Sequence, residues 1–370
     1  MNITTDTYRE IVQQPRVWRR VYELLKSRKA DLQVFLRPFV EGKTEIVLTG
    51  AGSSAFIGDS LVPILRNECG WNCRAVATTD LVTHAASYVD CEEPLLLVSF
   101  ARSGDSPESI AAVNEVNRVC KKASHMVITC NRNGALAKRQ WESDAYVILL
   151  PEETNDKSLV MTSSFSSMFL ACLMAGHINE IEDEKSYVDA AAANAQYILD
   201  HCEQTLREAA EHPMDRAIFL GGGSAQGIAE ECHLKLQEMT DGAIMCAFNS
   251  FLGFRHGPKA VLSTHCGVIY FMNSIPVARQ YAKDLIRQIA DGGLPIVQLA
   301  VMQEDEDLPA SVTKIILPEG YQQTHGYGAI SYVLVGQLMG LYACLKHGLN
   351  PDNPSKSGNI SRVVQGVTIY

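Results

Sequence analysis

A strand that ends in a glycine-rich turn and runs into a helix occurs twice in this chain, about 170 residues apart. The first copy is Glu45-Ile46-Val47-Leu48-Thr49, then Gly50-Ala51-Gly52-Ser53-Ser54-Ala55, then an apolar helical pattern to Leu65. The second is a strand from Arg216 to Leu220, the turn Gly221-Gly222-Gly223-Ser224, and a helix through Met239. Each copy is followed by short apolar runs alternating with helical patterns, such as Leu95 to Ser99 and His125 to Cys130 in the first half and Gly267 to Met272 and Pro295 to Ala300 in the second. Strands that are apolar throughout need cover on both faces, so this alternation implies parallel sheets flanked by helices. The recurrence predicts an α/β chain of two tandem doubly wound parallel-sheet domains. An N-terminal helical arm is expected over 1–44, the first domain over 45–205, and the second over 206–370 with the C-terminal tail. A long helical stretch is expected from after Ser164 to about Ala210. The tail beyond Leu349 is rich in Pro, Ser and Gly, but its apolar close, Val363-Val364 and Val367-Thr368-Ile369, predicts docking instead of disorder.

Composition narrows the partners. A formal charge of −10 over 370 residues, with no basic stripe to offset it, excludes a nucleic-acid surface. Any anionic substrate must then be held by local loops. Eleven cysteines show no paired metal spacing; Cys69 and Cys73 are four apart, but no second pair completes a zinc set. Scattered thiols of odd number fit a reducing cytoplasm. The N-terminus, Met1 to Asp6, lacks the basic and apolar regions of a signal peptide. The run Ala329 to Leu345 contains Ser331, Gln337 and two tyrosines, and reads as a buried helix and not as a membrane span.

Two turns are suited to an anion. Gly50-Ala51-Gly52-Ser53-Ser54 opens a helix whose first amides point outward. The strand Leu95 to Ser99 leads into Arg102-Ser103-Gly104-Asp105-Ser106, again directly before a helix. If their strands are neighbours, both turns leave the sheet at one crevice. Hydroxyls and amides there suit a phosphate monoester of charge about −1.5 to −2, with Arg102 adding a charge-assisted bond and Thr162-Ser163-Ser164 a third group of donors. The rival reading is a nicotinamide-dinucleotide site, from Gly50-x-Gly52-x-x-Ala55 and Asp80. Ser53 and Ser54 stand where that fingerprint needs only small packing residues. Serines and threonines are also common helix caps, so each turn alone has an ordinary structural explanation.

In the second half, Ile228, Cys232, Leu236 and Met239 form one apolar seam on a helix. Glu231, Lys235 and Glu238 form a stripe beside that seam, not opposite it. The stripe predicts ionisable groups at the edge of the core, or, more simply, a ladder of surface ion pairs. Downstream, His256 lies in a turn closed by Gly257-Pro258.

The chain resembles the SIS (sugar isomerase) domain proteins, in which two tandem domains of flavodoxin/Rossmann-like fold bind a sugar phosphate, and over nearly its full length the AgaS subgroup. The motifs carrying the resemblance are Leu48 to Asp59, Phe100 to Ser109, Met161 to Ser164, Gly253-Phe254-Arg255-His256-Gly257-Pro258-Lys259, and Asn359 to Val367. The resemblance implies a sugar-phosphate substrate, no cofactor, no metal, and a homodimer or larger assembly in which His256 serves its own or a neighbour's site. By similarity to the isomerase half of glucosamine-6-phosphate synthase, Glu238 is the base that moves a proton between C1 and C2. His256 handles ring opening, and Lys235 and Glu231 match further site positions. The phosphate falls to Ser54, Ser103 and Ser106, with Gly52, Ser53, Thr162 and Ser163 close by. Ala101 and Arg102 stand where the synthase has Ser and Gln. Arg362 is nearest to the synthase's C-terminal lysine, but a guanidinium does not shuttle protons at neutral pH, so phosphate or hydroxyl recognition is expected of it.

The AgaS likeness implies conversion of galactosamine 6-phosphate to tagatose 6-phosphate and ammonia. A plain aldose–ketose isomerase or a fructosamine-6-phosphate deglycase would use the same scaffold. A non-catalytic sugar-phosphate sensor is the reading from another class.

Overall fold

The computed structural model describes Thr4–Val364 and Gly366–Tyr370; Met1–Ile3, part of the N-terminal stretch read above, and Gln365 of the C-terminal motif lie outside the described residues. The chain opens with three helices, α1 (Asp6–Val12), α2 (Gln14–Ser27) and α3 (Lys29–Glu41). The first alternation runs β1 (Glu45–Thr49), α4 (Ser53–Glu68), β2 (Cys73–Ala75), α5 (Thr78–Tyr88), β3 (Leu95–Ala101), α6 (Pro107–Val119), β4 (Ala123–Thr129), α7 (Ala135–Lys138), β5 (Ala145–Leu149) and α8 (Ser163–Gly176). After α9 (Ile181–Tyr197) and α10 (Glu203–Glu211) comes the second: β6 (Arg216–Leu220), α11 (Ser224–Met239), β7 (Met245–Asn249), β8 (Cys266–Phe271), α12 (Pro276–Gly292), β9 (Val297–Met302), β10 (Thr313–Ile316), α13 (Tyr321–Thr324) and α14 (Val333–Lys346).

Both sheets are parallel and have one topology. The first is ordered β2-β1-β3-β4-β5 and the second, read in the same sense, β7-β6-β8-β9-β10. The duplication holds residue by residue. Thr49 pairs with Ser99 as Leu220 pairs with Tyr270, an offset of 171 residues (49 to 220) that also relates α4 to α11. At that offset Gly52 and Gly223 each precede the helix with φ/ψ of +55°/−130° and +58°/−132°. Only glycine adopts that backbone without strain, which is why the turn repeats even where its neighbours do not.

Contacts gather the chain into two units, and these interleave in sequence, unlike the linear boundaries after 44 and 205. The first-sheet unit comprises Arg16–Asp156, Met161–Lys185 and Ile360–Tyr370. The second-sheet unit comprises the described residues through Pro15, Lys157–Val160 and Ser186–Asn359. One core of the first unit lies on the α5/α6 face of its sheet, where Val47, Leu97, Val113 and Val116 are buried together. In the second unit Ile218, Val268, Leu285 and Ile289 do the same beneath α12. Each such aliphatic side chain contributes about 1.5–3 kcal/mol by leaving water. The stretch Tyr321–Lys346 is long and apolar enough to cross a membrane, yet nearly all of its most apolar window is buried within the protein.

Three expectations change. The helical stretch expected to Ala210 is present but interrupted after Gly176 by a 3₁₀ turn, Ile178–Glu180, and it passes from α9 to α10 through a π turn, Ile198–Cys202. β7 was not foreseen: Met-Cys-Ala-Phe-Asn lacks a β-branched run, and as an edge strand it is only half covered, so neither strand signature is present. The tail does associate with the first-sheet unit, but not through its apolar close. Val364, Val367 and Ile369 are exposed, and the hydrogen bonds are made by Arg362.

His177, which caps α8, carries a pH-dependent prediction. Its ring lies between Glu68, 3.5 Å from Nε2, and Glu184, 3.9 Å from Nδ1. Burial disfavours the charged ring, but the adjacent Glu68 carboxylate and the charges of Glu184 and Glu180 outweigh it and raise the pKa above the ordinary value. A raised folded pKa means the stabilisation is fully present below about pH 6.5, the unfolded value, and is lost as pH rises through the folded value. Denaturant titrations of wild type and His177→Gln are expected to diverge most at low pH and converge at high pH. A constant difference would contradict this.

Candidate active site

In the second-sheet unit α11 presents the ionisable stripe. Its seam residues Ile228, Cys232, Leu236 and Met239 are fully buried, and α14 approaches so closely that a Cβ on Gly336 would lie 2.5 Å from that of Cys232. This packing draws the stripe deeper than its edge position in sequence suggests. The side chains of Glu231 and Lys235 are 0% and 1% exposed, and that of Glu238 is 23% exposed. The Lys235 ammonium lies 2.6 Å from Glu238 Oε2 and 3.5 Å from Glu231 Oε1. This is a buried carboxylate–ammonium–carboxylate array with one carboxylate reaching solvent, not a ladder of surface pairs.

The duplicate helix supplies an internal control. At the positions in α4 that correspond to Glu231, Lys235 and Glu238 stand Ser60, Ile64 and Asn67. The same fold, sheet order and helix length are built without the charges, so the fold does not require them. Buried charge is costly unless compensated, and its presence in only one copy makes α11 the candidate for a chemical role.

His256 is exposed, at the end of a short 3₁₀ turn, Gly253–Arg255; Gly257 follows with φ +113° and Pro258 begins the next turn. The surrounding segment is poorly covered: Met245 is 65% and Leu252 45% exposed.

In the first-sheet unit β1 and β3 are neighbours, so their turns leave the sheet side by side, as expected. Ser53 and Ser54 begin α4 after Gly52 and are nearly buried; Ser54 Oγ lies 3.8 Å from Met161 Sδ. Ser103 Oγ accepts from the Asp105 amide at 3.2 Å, and the Ser103 carbonyl accepts from Asn131 Nδ2 at 2.8 Å. Ser106 is the N-cap of α6, with Pro107 next, and its hydroxyl makes no capping bond. The control applies here in reverse: the second copy has Ala225 where the first has Ser54.

Two expectations are corrected. The Thr162, Ser163 and Ser164 amides donate to the carboxylate of Asp156 at 2.7, 3.1 and 2.9 Å, and the Thr162 and Ser164 hydroxyls donate to it as well. Asp156 is itself buried. The N-terminus of α8 thus already holds an anion, the protein's own, and these donors of Thr162 and Ser163 are committed to it. Arg362 likewise directs its guanidinium at the Asp156 carbonyl, 2.8 Å from Nε, and at Asn155 Oδ1, 2.8 Å from Nη2. Its own carbonyl accepts from Arg102 Nη2. Asp156 and Asn131 were missed in the sequence, because a lone Asp or Asn in a loop carries no pattern that names its partner.

The family model described as SIS domain matches residues 40–178. The D-galactosamine-6-phosphate deaminase AgaS of Escherichia coli is 38% identical over 370 residues, which cover 99% of this chain and 96% of that protein. The protein of the same name from Shewanella sp. (strain ANA-3) is 36% identical, with 98% of this chain and 91% of that protein covered. Among solved structures, tagatose-6-phosphate ketose/aldose isomerase from Escherichia coli superposes with a TM-score of 0.89 at 36% identity, covering 99% of this chain and 96% of that one.

Proposed function

Because this chain belongs to the AgaS-type family of SIS-domain proteins, we propose that it converts galactosamine 6-phosphate and water to tagatose 6-phosphate and ammonia. The observation that carries the reading is the charged array on α11, present in one copy of a duplicated fold and absent from the other.

The steps follow from the chemistry of the sugar. His256 assists opening of the pyranose to the aldehyde. Glu238, the solvent-reaching carboxylate of the array, takes the C2 proton made acidic by the adjacent carbonyl and returns it at C1. Lys235, bound to Glu238, stabilises the negative charge that builds on the substrate oxygen as the proton leaves, and Glu231 holds Lys235 in place. The imine left at C2 adds water and expels ammonia, which balances the reaction. Ser54, Ser103 and Ser106 hold the phosphoryl group, with the turn at Gly52 and Ser53 supplying the helix end. A homodimer is part of this reading, supported by the poorly covered segment around Met245, Leu252 and His256.

A second reading, ketose–aldose isomerisation without loss of nitrogen, is favoured by the name of the Escherichia coli structure. One assay separates them: hexosamine, hexose and fructosamine 6-phosphates are offered in turn, and free ammonia and ketose are measured. Ammonia and ketose in equal amounts from galactosamine 6-phosphate are expected. Ketose from a hexose phosphate without ammonia selects the isomerase. No ammonia from any amino-sugar phosphate, with folding intact, sinks the deaminase.

A further inference from the structure

Arg102 stands in the β3–α6 turn, where a guanidinium beside a phosphate site would be expected to face the ligand. It is instead buried, and its Nη2 donates to the carbonyl of Arg362 in the tail. Arg362 is in turn held by three donor contacts: Nε to the Asp156 carbonyl at 2.8 Å, and Nη2 to the same carbonyl at 2.5 Å and to Asn155 Oδ1 at 2.8 Å. The carboxylate of Asp156 pins the start of α8. One hydrogen-bonded line therefore runs from the phosphate turn, through the tail, to the end of α8, wholly within the first-sheet unit.

The duplicate shows what this position does when no tail is involved. The counterpart of Arg102, 171 residues on, is Asn273. Its Nδ2 donates to the carbonyl of Gly222, in the glycine turn of its own sheet, at 2.9 Å. In both copies the residue at this position, just after the third strand of the alternation, is a donor that grips a backbone carbonyl. In the second copy it ties turn to turn directly; in the first, the longer arginine reaches residue 362. The grip belongs to the fold, and the choice of the tail as its target belongs to the first copy alone.

We propose that Arg362 is a positioning residue for the phosphate turn: with its guanidinium held by the Asp156 carbonyl and Asn155 Oδ1, it fixes its own carbonyl before Arg102, and so sets the direction of the Arg102 guanidinium and through it the affinity of the Ser103–Ser106 turn for a phosphate monoester. A guanidinium carries five donors in a rigid fork. Holding that fork on a fixed carbonyl orients the planar head as a whole, and that lowers the ordering cost when an anion arrives. The role needs an arginine at 362 because one planar head satisfies two acceptors, the Asp156 carbonyl and Asn155 Oδ1, at once; a lysine reaches one. The proposal rests on the phosphate reading of these turns but not on the identity of the sugar.

The test uses the full chain and inorganic phosphate as the probe, with affinity measured by calorimetry. Arg362→Ala is expected to weaken phosphate binding about tenfold, the scale of one charge-assisted hydrogen bond, with Arg362→Lys recovering part of the loss and the thermal midpoint unchanged. Asn155→Ala, which removes one of the two acceptors, is expected to fall between wild type and Arg362→Ala. In the same variant, trypsin should cut after Arg362 faster than in wild type, read as release of the last eight residues, Val363 to Tyr370. Phosphate affinity in Arg362→Ala equal to wild type, or cleavage after Arg362 unaffected by Asn155→Ala, overturns the proposal. A weakened phosphate affinity in a protein that releases no ammonia from any amino-sugar phosphate keeps the positioning role and removes only the deaminase. Wild type that binds no phosphate removes the role itself.

Discussion

Replacing Glu238 by Gln is expected to lower turnover by about 10²–10⁴-fold, the usual share of a positioned base, while phosphate affinity stays within about twofold of wild type. The two carboxamide atoms occupy nearly the volume of the carboxylate, and the amide oxygen still accepts from Lys235, so little beyond proton transfer is removed. The prediction is sharp because Glu238 alone in the array reaches solvent, at 23% exposure against 0% for Glu231. Steady-state kinetics with phosphate competition decide it. Surviving turnover would place the base elsewhere and detach α11 from the chemistry.

Lys235→Met is expected to cost about 3–5 kcal/mol of stability, because removing one partner of a buried pair strands the other charge. The charge that loses its ammonium is Glu231, which has no exposed surface and whose Oε1 lies 3.5 Å from the Lys235 ammonium. Equilibrium denaturation in urea measures the loss. The double change Glu231→Ser with Lys235→Ile is expected to recover most of it, since Ser60 and Ile64 occupy the same places in α4, with Ser60 fully buried and Ile64 nearly so. Activity should not return with the stability. A single mutant as stable as wild type would mean that Glu231 takes up a proton or finds another donor, and the array would lose its meaning as a coupled unit.

Much of this could be read in the chain before any coordinates. The strand–glycine–helix units stood out because parallel strands are apolar throughout and their turns need glycine at positive φ, both properties of a few consecutive residues. The seam and stripe of α11 stood out because a helix repeats every 3.6 residues. β7 did not, since an edge strand half open to solvent has neither a continuous apolar run nor strict alternation. The fate of Thr162 and Ser163 was also hidden: their composition suits an anion, and they do hold one, but it is the carboxylate of Asp156. The tail was read as docking, which its contacts bear out, but by apolar burial, when Arg362 makes the attachment.

The sequence by itself determined the fold class, the duplication, the family and the short set of residues able to do acid–base work on a sugar phosphate. Those are local patterns, and local patterns survive without coordinates. Only the tertiary structure decided how deep Glu231 and Lys235 lie, which donors at the ends of α4, α6 and α8 remain for a ligand, and that Arg102 grips the tail. The first and last depend on elements brought together across the chain, 260 residues apart for Arg102 and Arg362, and the second on an acceptor, Asp156, only six to eight residues from the α8 donors. A donor's type says what it can bind; packing alone says which acceptor comes within reach.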